Sequence, residues 1–138
     1  MDFDDTPQEA SFRARARAWL ERNSKPRDPD GPSADPLRER EDPNAIRDAK
    51  TWQTRKFDEG WACLTWPKEY GGQDLGRMEQ VIWNQGEARF DTPANLYSIG
   101  HGMLAPTLMA HGSKEQKDRY VREMGRGQVV WCQLFSEP

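Results

Sequence analysis

The sequence predicts an all-α fold, a helical bundle of about five helices that ends in one β-strand. Three observations carry that expectation. Apolar residues recur at helical spacing through most of the 138 residues. Cap signals stand in front of several of those runs. The one sustained β-prone run, from Val129 to Phe135, lies at the end of the sequence.

Each element has its own local warrant. Thr6-Pro7-Gln8-Glu9 is a helix start: Thr6 can cap, Pro7 suits the first helical position, and Glu9 can reach back to the Thr6 amide. Phe12, Ala16, Trp19 and Leu20 then share one face, and Asn23-Ser24 with Pro26 ends the helix. Residues 24–44 hold five of the ten prolines, separated by Asp, Gly and Ser, and read as a long surface loop. Asn44 opens a second helix to about Glu59, with Ile46, Ala49, Trp52 or Gln53, and Lys56-Phe57 inward and Gly60 closing it. Residues 77–90 predict a third helix whose inner face is Met78, Val81, Ile82, Gln85 and Ala88-Arg89. A fourth begins near Thr92-Pro93, passes Leu96, Ile99, Met103 and Leu104, and is expected to kink near Pro106. Ser113-Lys114-Glu115-Gln116 is a second capping box and opens a fifth helix with Tyr120, Val121 and Met124 inward. Gly125-Arg126-Gly127 reads as a turn into the terminal strand.

Composition narrows the function classes. The length fits one domain, large enough to bury roughly two-thirds of its unfolded surface. Charged residues make up 31%, hydrophobic ones 35%, and six tryptophans are available to fill a core. A net charge of −3 gives no general drive toward nucleic acid or anionic membrane. Cys63 and Cys132 form no Cys-x-x-Cys pair, and both lie in apolar runs, where buried thiols are expected. Met1-Asp2-Phe3-Asp4-Asp5 lacks the basic and apolar regions of a signal peptide, so a cytoplasmic location is the expectation. His101 and His111 have no carboxylate or cysteine at metal-ligand spacing, so no metal site is predicted, and both read as structural or rim residues.

Several blocks carry a family likeness. Trp66-Pro67-Lys68-Glu69-Tyr70-Gly71-Gly72 is one. A glutamate-bearing helical stretch from Val81 to Ala88 follows. The runs His101-Gly102-Met103-Leu104-Ala105-Pro106-Thr107-Leu108 and His111-Gly112-Ser113-Lys114-Glu115-Gln116-Lys117-Asp118-Arg119-Tyr120 come next. The tail Trp131-Cys132-Gln133-Leu134-Phe135-Ser136-Glu137-Pro138 is the last. In this order and spacing they resemble the N-terminal helical domain of the acyl-CoA dehydrogenases, over roughly residues 5–138 and most weakly over 24–44. The resemblance implies a helical domain at 1–127 and the first strand of a middle β-domain at 128–138. It also implies an FAD-dependent oxidation of acyl-CoA to 2,3-enoyl-CoA, with electrons passed to an electron-transfer flavoprotein, in a homo- or hetero-oligomer.

The same resemblance assigns roles. Gln133, Phe135 and Ser136 would lie along the flavin, the Ser136 hydroxyl near its N5/O4 edge; the alternative makes Ser136 a strand terminator. Tyr97, Ser98, Ile99, Gly102 and Met103 would line the acyl pocket. The glycines there would make room for an acyl group or serve close helix packing, and the sequence leaves both open. Glu87 looks like a general base but matches a structural helical glutamate of the family. The family's catalytic base has no counterpart among these residues, so no catalytic residue is assigned, and the isolated chain is expected to be inactive. An acyl-CoA oxidase, a flavin monooxygenase on the same scaffold, and a non-catalytic helical interaction module are the competing readings.

Overall fold

A computed structural model describes residues 5–28 and 43–134. Five α-helices make the body: α1 (Pro7–Asn23), α2 (Pro43–Asp58), α3 (Arg77–Glu87), α4 (Ala105–His111) and α5 (Lys114–Arg126). Helical backbone already begins at residue 98, and a π-helical turn, Gly100–Leu104, leads into α4. Lys68–Tyr70 is a short 3-10 turn. Two-residue strands β1 (Lys25–Pro26) and β2 (Phe90–Asp91) pair antiparallel and tie the end of α1 to the end of α3.

The cap signals are realised in full. Thr6 Oγ1 accepts from the Glu9 amide while Glu9 Oε2 accepts from the Thr6 amide at 2.7 Å. Ser113 and Gln116 repeat the reciprocal pair at the start of α5. Each pair satisfies amides that the first helical turn would leave bare.

Two apolar clusters form the core. In the first, Phe12, Ala16, Trp19 and Leu20 of α1 pack on Ile82 and Trp83 of α3 and on Trp52 of α2. Trp19 is the hub, its ring 5.2 Å from Trp52 and 5.6 Å from Trp83, in tilted contacts that aromatic rings favour. In the second, Trp66 meets Ala105, Val121 and Met124, which joins α4 to α5.

The C-terminus of α5 knits the two halves together. A helix end leaves its last four carbonyls without an intrahelical partner. Side chains from outside α5 reach four successive ones here. His101 Nε2 bonds the Met124 carbonyl at 2.9 Å, and Gln53 Nε2 donates to Gly125 at 2.7 Å. Thr54 Oγ1 donates to Arg126 at 3.0 Å, and the Tyr97 hydroxyl to Gly127 at 3.1 Å. Gly127 closes the helix with φ +82°, and Arg126 forks onto Asp58 at 2.9 and 2.8 Å.

Four expectations need correction. Of the inner face expected for the third helix only Ile82 is buried: Met78 and Val81 are exposed, 53% and 45%, as are Gln85, Ala88 and Arg89, because Trp83 turns inward beside Ile82. The larger indole decides the rotation, since its N–H also gains a partner one turn on, at Glu87. Thr92-Pro93 does not start a helix; the backbone runs without helix to residue 97, where the Asn95 side chain accepts from the Tyr97 amide. Residues 129–134 form no ladder among the described residues, because a strand exists only against a partner and none of these residues supplies one. Cys132 is accordingly exposed rather than buried, while Cys63 is half-buried. Most of the proline-rich stretch, together with Phe135 and Ser136, lies outside the described residues.

The closest helix contact yields a prediction. A Cβ on Gly125 would stand 2.8 Å from Phe57 Cε2 and 3.0 Å from Trp66 Cζ3, both rigid ring atoms. Alanine is the better helix former by roughly 0.5–1 kcal/mol, but overpacking costs about 1–3 kcal/mol. Gly125→Ala is therefore expected to lower the urea midpoint. A midpoint that rises would show that the rings yield freely.

Candidate functional site

The site is built around residues 95–104, which the bonds from Tyr97 and His101 fasten to the end of α5. Tyr97 is buried, and burial pushes its phenol up to about 12, so the hydroxyl stays a neutral donor to Gly127. His101 stacks on Tyr97 at 5.4 Å and meets Trp66 edge-on at 5.3 Å. A carbonyl only accepts, so Nε2 of His101 carries the proton toward Met124. Burial first of all holds this imidazole below its ordinary value, and the nearby Lys56 charge acts in the same direction.

Two of the cavities that border this segment reach Ser98. One, of about 440 Å³, is an apolar groove with Ile46, Leu96, Ile99, Val130 and Cys132 on its walls and Ser98 at its margin. The other, of about 330 Å³, is a polar cleft bordered by Lys56, Gln80, Asn84, Ser98, His101 and Gly102. Ser98 and Asn95 border both.

The floor between α2 and α3 is an ion pair with aromatic support. Glu87 Oε1 accepts from Lys56 Nζ and from Trp52 Nε1, each at 2.9 Å, and Glu87 Oε2 accepts from Trp83 Nε1 at 3.0 Å. The pair is mostly buried, with side-chain exposures of 14% and 21%. Glu87 accepts from two indoles and from the Lys56 ammonium it is paired with, a set of bonds that suits a structural carboxylate. The sequence held a signal for this: Trp52 and Lys56, and Trp83 and Glu87, stand four apart on their helices. Reading them separately hid the network, and Lys56, Gln80 and Asn84 were missed as cleft residues.

The predicted site residues divide. Ser98 and Ile99 border the groove, and Gly102 borders the polar cleft beside Ser98. Met103 is 51% exposed. Tyr97 is set apart, its hydroxyl held by Gly127. Gln133 is exposed on the unpaired terminal stretch, and Phe135 and Ser136 lie outside the described residues. Burial pushes the thiol of Cys63, beside the cleft, up to about 12, which disfavours the thiolate. No group of residues suited to a metal ion occurs among the described residues, nor any helix long and apolar enough to cross a membrane.

Residues 6–128 match the family model for the acyl-CoA dehydrogenase N-terminal domain. The chain belongs to the acyl-CoA dehydrogenase family. Acyl-CoA dehydrogenase IpdE1 of Mycobacterium tuberculosis is 34% identical over 133 residues, covering 92% of this chain and 32% of that protein. Acyl-CoA dehydrogenase FadE26 of the same organism is 38% identical over 80 residues, 58% of this chain and 20% of that one. Among solved structures, the ChsE4-ChsE5 complex from Mycobacterium tuberculosis superposes with a TM-score of 0.66 at 26% identity, covering 94% of this chain and 30% of that one. The chain thus spans about a third of the length of IpdE1 and of the matched chain of the ChsE4-ChsE5 complex, and covers their N-terminal part.

His101 gives the acyl-CoA dehydrogenase domain a pH signature. Its folded value lies below the 6.5 of a free imidazole, so the unfolded chain takes up the proton first. Stability is intact above that value and is lost as pH falls through it toward the folded one. His101→Gln, which keeps a donor for Met124, should flatten the fall in denaturation midpoint that sets in below pH 6.5. Asp5 and Asp58, held low by Arg13 and Arg126, lose their contribution only below 3.8. Equal slopes for wild type and variant would remove His101 from the account.

Proposed function

We propose that this domain is the N-terminal part of a cytoplasmic, FAD-dependent acyl-CoA dehydrogenase that converts acyl-CoA to 2,3-enoyl-CoA. The observation that carries the reading is the apolar groove, in which Ser98 and Ile99 of the helix face Val130 and Cys132 of the terminal stretch. One wall would receive the acyl chain and the other would lead to the cofactor.

The residues present fit a flavin along one edge. From Val130 to Leu134 the backbone joins no ladder among the described residues, and Cys132, Gln133 and Leu134 are exposed. A run of free amides and carbonyls suits the polar margin of a planar ring. Bound there, FAD would supply the acceptor for the hydride. Gln133, the Phe135 backbone and the Ser136 hydroxyl are proposed to hold that margin. Ser98, Ile99, Gly102 and Met103 are proposed to position the acyl group, with Tyr97 anchoring their backbone. Cβ–H cleavage also needs a base at Cα, and Glu87, ion-paired with Lys56 and bonded to two indoles, is unsuited to that task. The base, the pyrophosphate grip and the electron-transfer flavoprotein contact are assigned to other parts of the complete enzyme. Oligomerisation, with like or unlike subunits, belongs to the same reading; the ChsE4-ChsE5 structure is itself a complex.

The complete enzyme, purified with its partner subunits, is expected to show flavin absorbance near 450 nm that bleaches when acyl-CoA is added without oxygen. The 138-residue chain alone should hold no stoichiometric flavin. A complete enzyme without flavin would favour the interaction-module reading. Bleaching coupled directly to oxygen uptake would favour an oxidase.

A further inference from the structure

Resting on the acyl-CoA reading, we propose that Trp131 is a positioning residue for the oxidation: seated on the π-helical turn and on α5, its indole sets where the flavin-side stretch stands relative to the acyl groove. From Val130 to Leu134 it is the one residue that is not exposed. Val130 and Cys132 on either side wall the groove, while Trp131 turns the opposite way, as successive residues of an extended backbone do. It packs there against the cluster of Trp66, Ala105, Val121 and Met124. Its ring meets Tyr120 of α5 edge-on at 5.6 Å. The π-helical turn comes up on the same residue: a Cβ on Gly100 would stand 3.6 Å from Trp131 Cβ and 3.4 Å from Met124.

The indole nitrogen shows what kind of contact this is. Trp19, Trp52 and Trp83 each donate their N–H to a carboxylate. Nε1 of Trp131 is buried and has no acceptor among the described residues. A buried donor without an acceptor is a net cost, so packing alone keeps this ring in place. The stretch around it joins no ladder among the described residues, so no strand partner there fixes its position. Gln133 follows two residues on, roughly 7 Å along an extended chain. A shift of Trp131 therefore passes directly to the residue proposed to meet the flavin, and to Val130 and Cys132 on the groove wall. Hydride transfer is sensitive to such shifts, since a misplacement of about 1 Å can cost about a hundredfold in rate.

The complete flavoenzyme tests this through two readouts: the anaerobic bleaching rate at saturating acyl-CoA, and the visible circular dichroism of its flavin. Trp131→Ala is expected to slow bleaching by about tenfold or more and to change the dichroism. Trp131→Phe, which keeps an aromatic ring and removes the N–H, should recover most of the rate; a Phe variant as slow as the Ala one would overturn the packing role. Tyr120→Leu, which takes away the edge-on ring, should slow bleaching severalfold, and it carries both readouts if Trp131→Ala does not fold. Wild-type rate and dichroism in these variants, whatever their urea midpoints, overturn the inference and leave the flavin reading intact. A complete enzyme that holds no flavin overturns that reading as well.

Discussion

Four carbonyl groups at the end of α5 govern this domain. Three of them have no amide partner within the helix, and the Met124 carbonyl has only the capping Gly127 amide at 3.1 Å. Gln53 and Thr54 of α2 answer two of them, and Tyr97 and His101 answer the other two. The bonds differ from surface contacts in what happens on their loss. A net hydrogen bond is worth about 1 kcal/mol, but a buried carbonyl left bare costs about 1–3 kcal/mol. The chain around residue 97 therefore has little freedom to move away from α5, although it has no regular structure there.

Site geometry follows from that attachment. Tyr97 and His101 flank Ser98, so both cavities are shaped by residues whose backbone is pinned on either side. The Glu87 ion pair joins α2 to α3 under the polar cleft, and the indoles of Trp52 and Trp83 complete its hydrogen bonding. Without those donors a buried carboxylate would be a poor choice for a helix interface. The two-residue strand pair at Pro26 and Phe90 fixes the far end of the same layer.

What the sequence disclosed was mostly local. The Thr6-Glu9 and Ser113-Gln116 boxes depend only on neighbours three residues apart, and they could be read directly. The stripe Phe12, Ala16, Trp19, Leu20 was legible because α1 has one apolar face and no competitor. The rotation of α3 was not, because Met78, Val81 and Ile82 offer two overlapping faces, and only the indole–carboxylate contact chooses between them. Thr92-Pro93 carried a sound start signal, but these residues lie between β2 and the Asn95 turn, where the backbone is not helical. The terminal run is β-prone by composition, yet pairing is a property of two segments. Within the site, Ser98, Ile99 and Gly102 came from family likeness. The engaged state of Glu87 needed coordinates, since it depends on residues dozens of positions away.

Gln53 offers the most direct test of the central constraint. It is a buried polar residue, 5% exposed, and its amide meets the Gly125 carbonyl at 2.7 Å. Gln53→Leu keeps much of the volume and removes the donor. Equilibrium urea denaturation should show a loss of about 1–3 kcal/mol, with early exchange of the amides around residues 97–101 as their anchorage loosens. A Gln53→Leu variant as stable as wild type, with unchanged exchange in that segment, would contradict the claim that the α5 carbonyls hold the site in place.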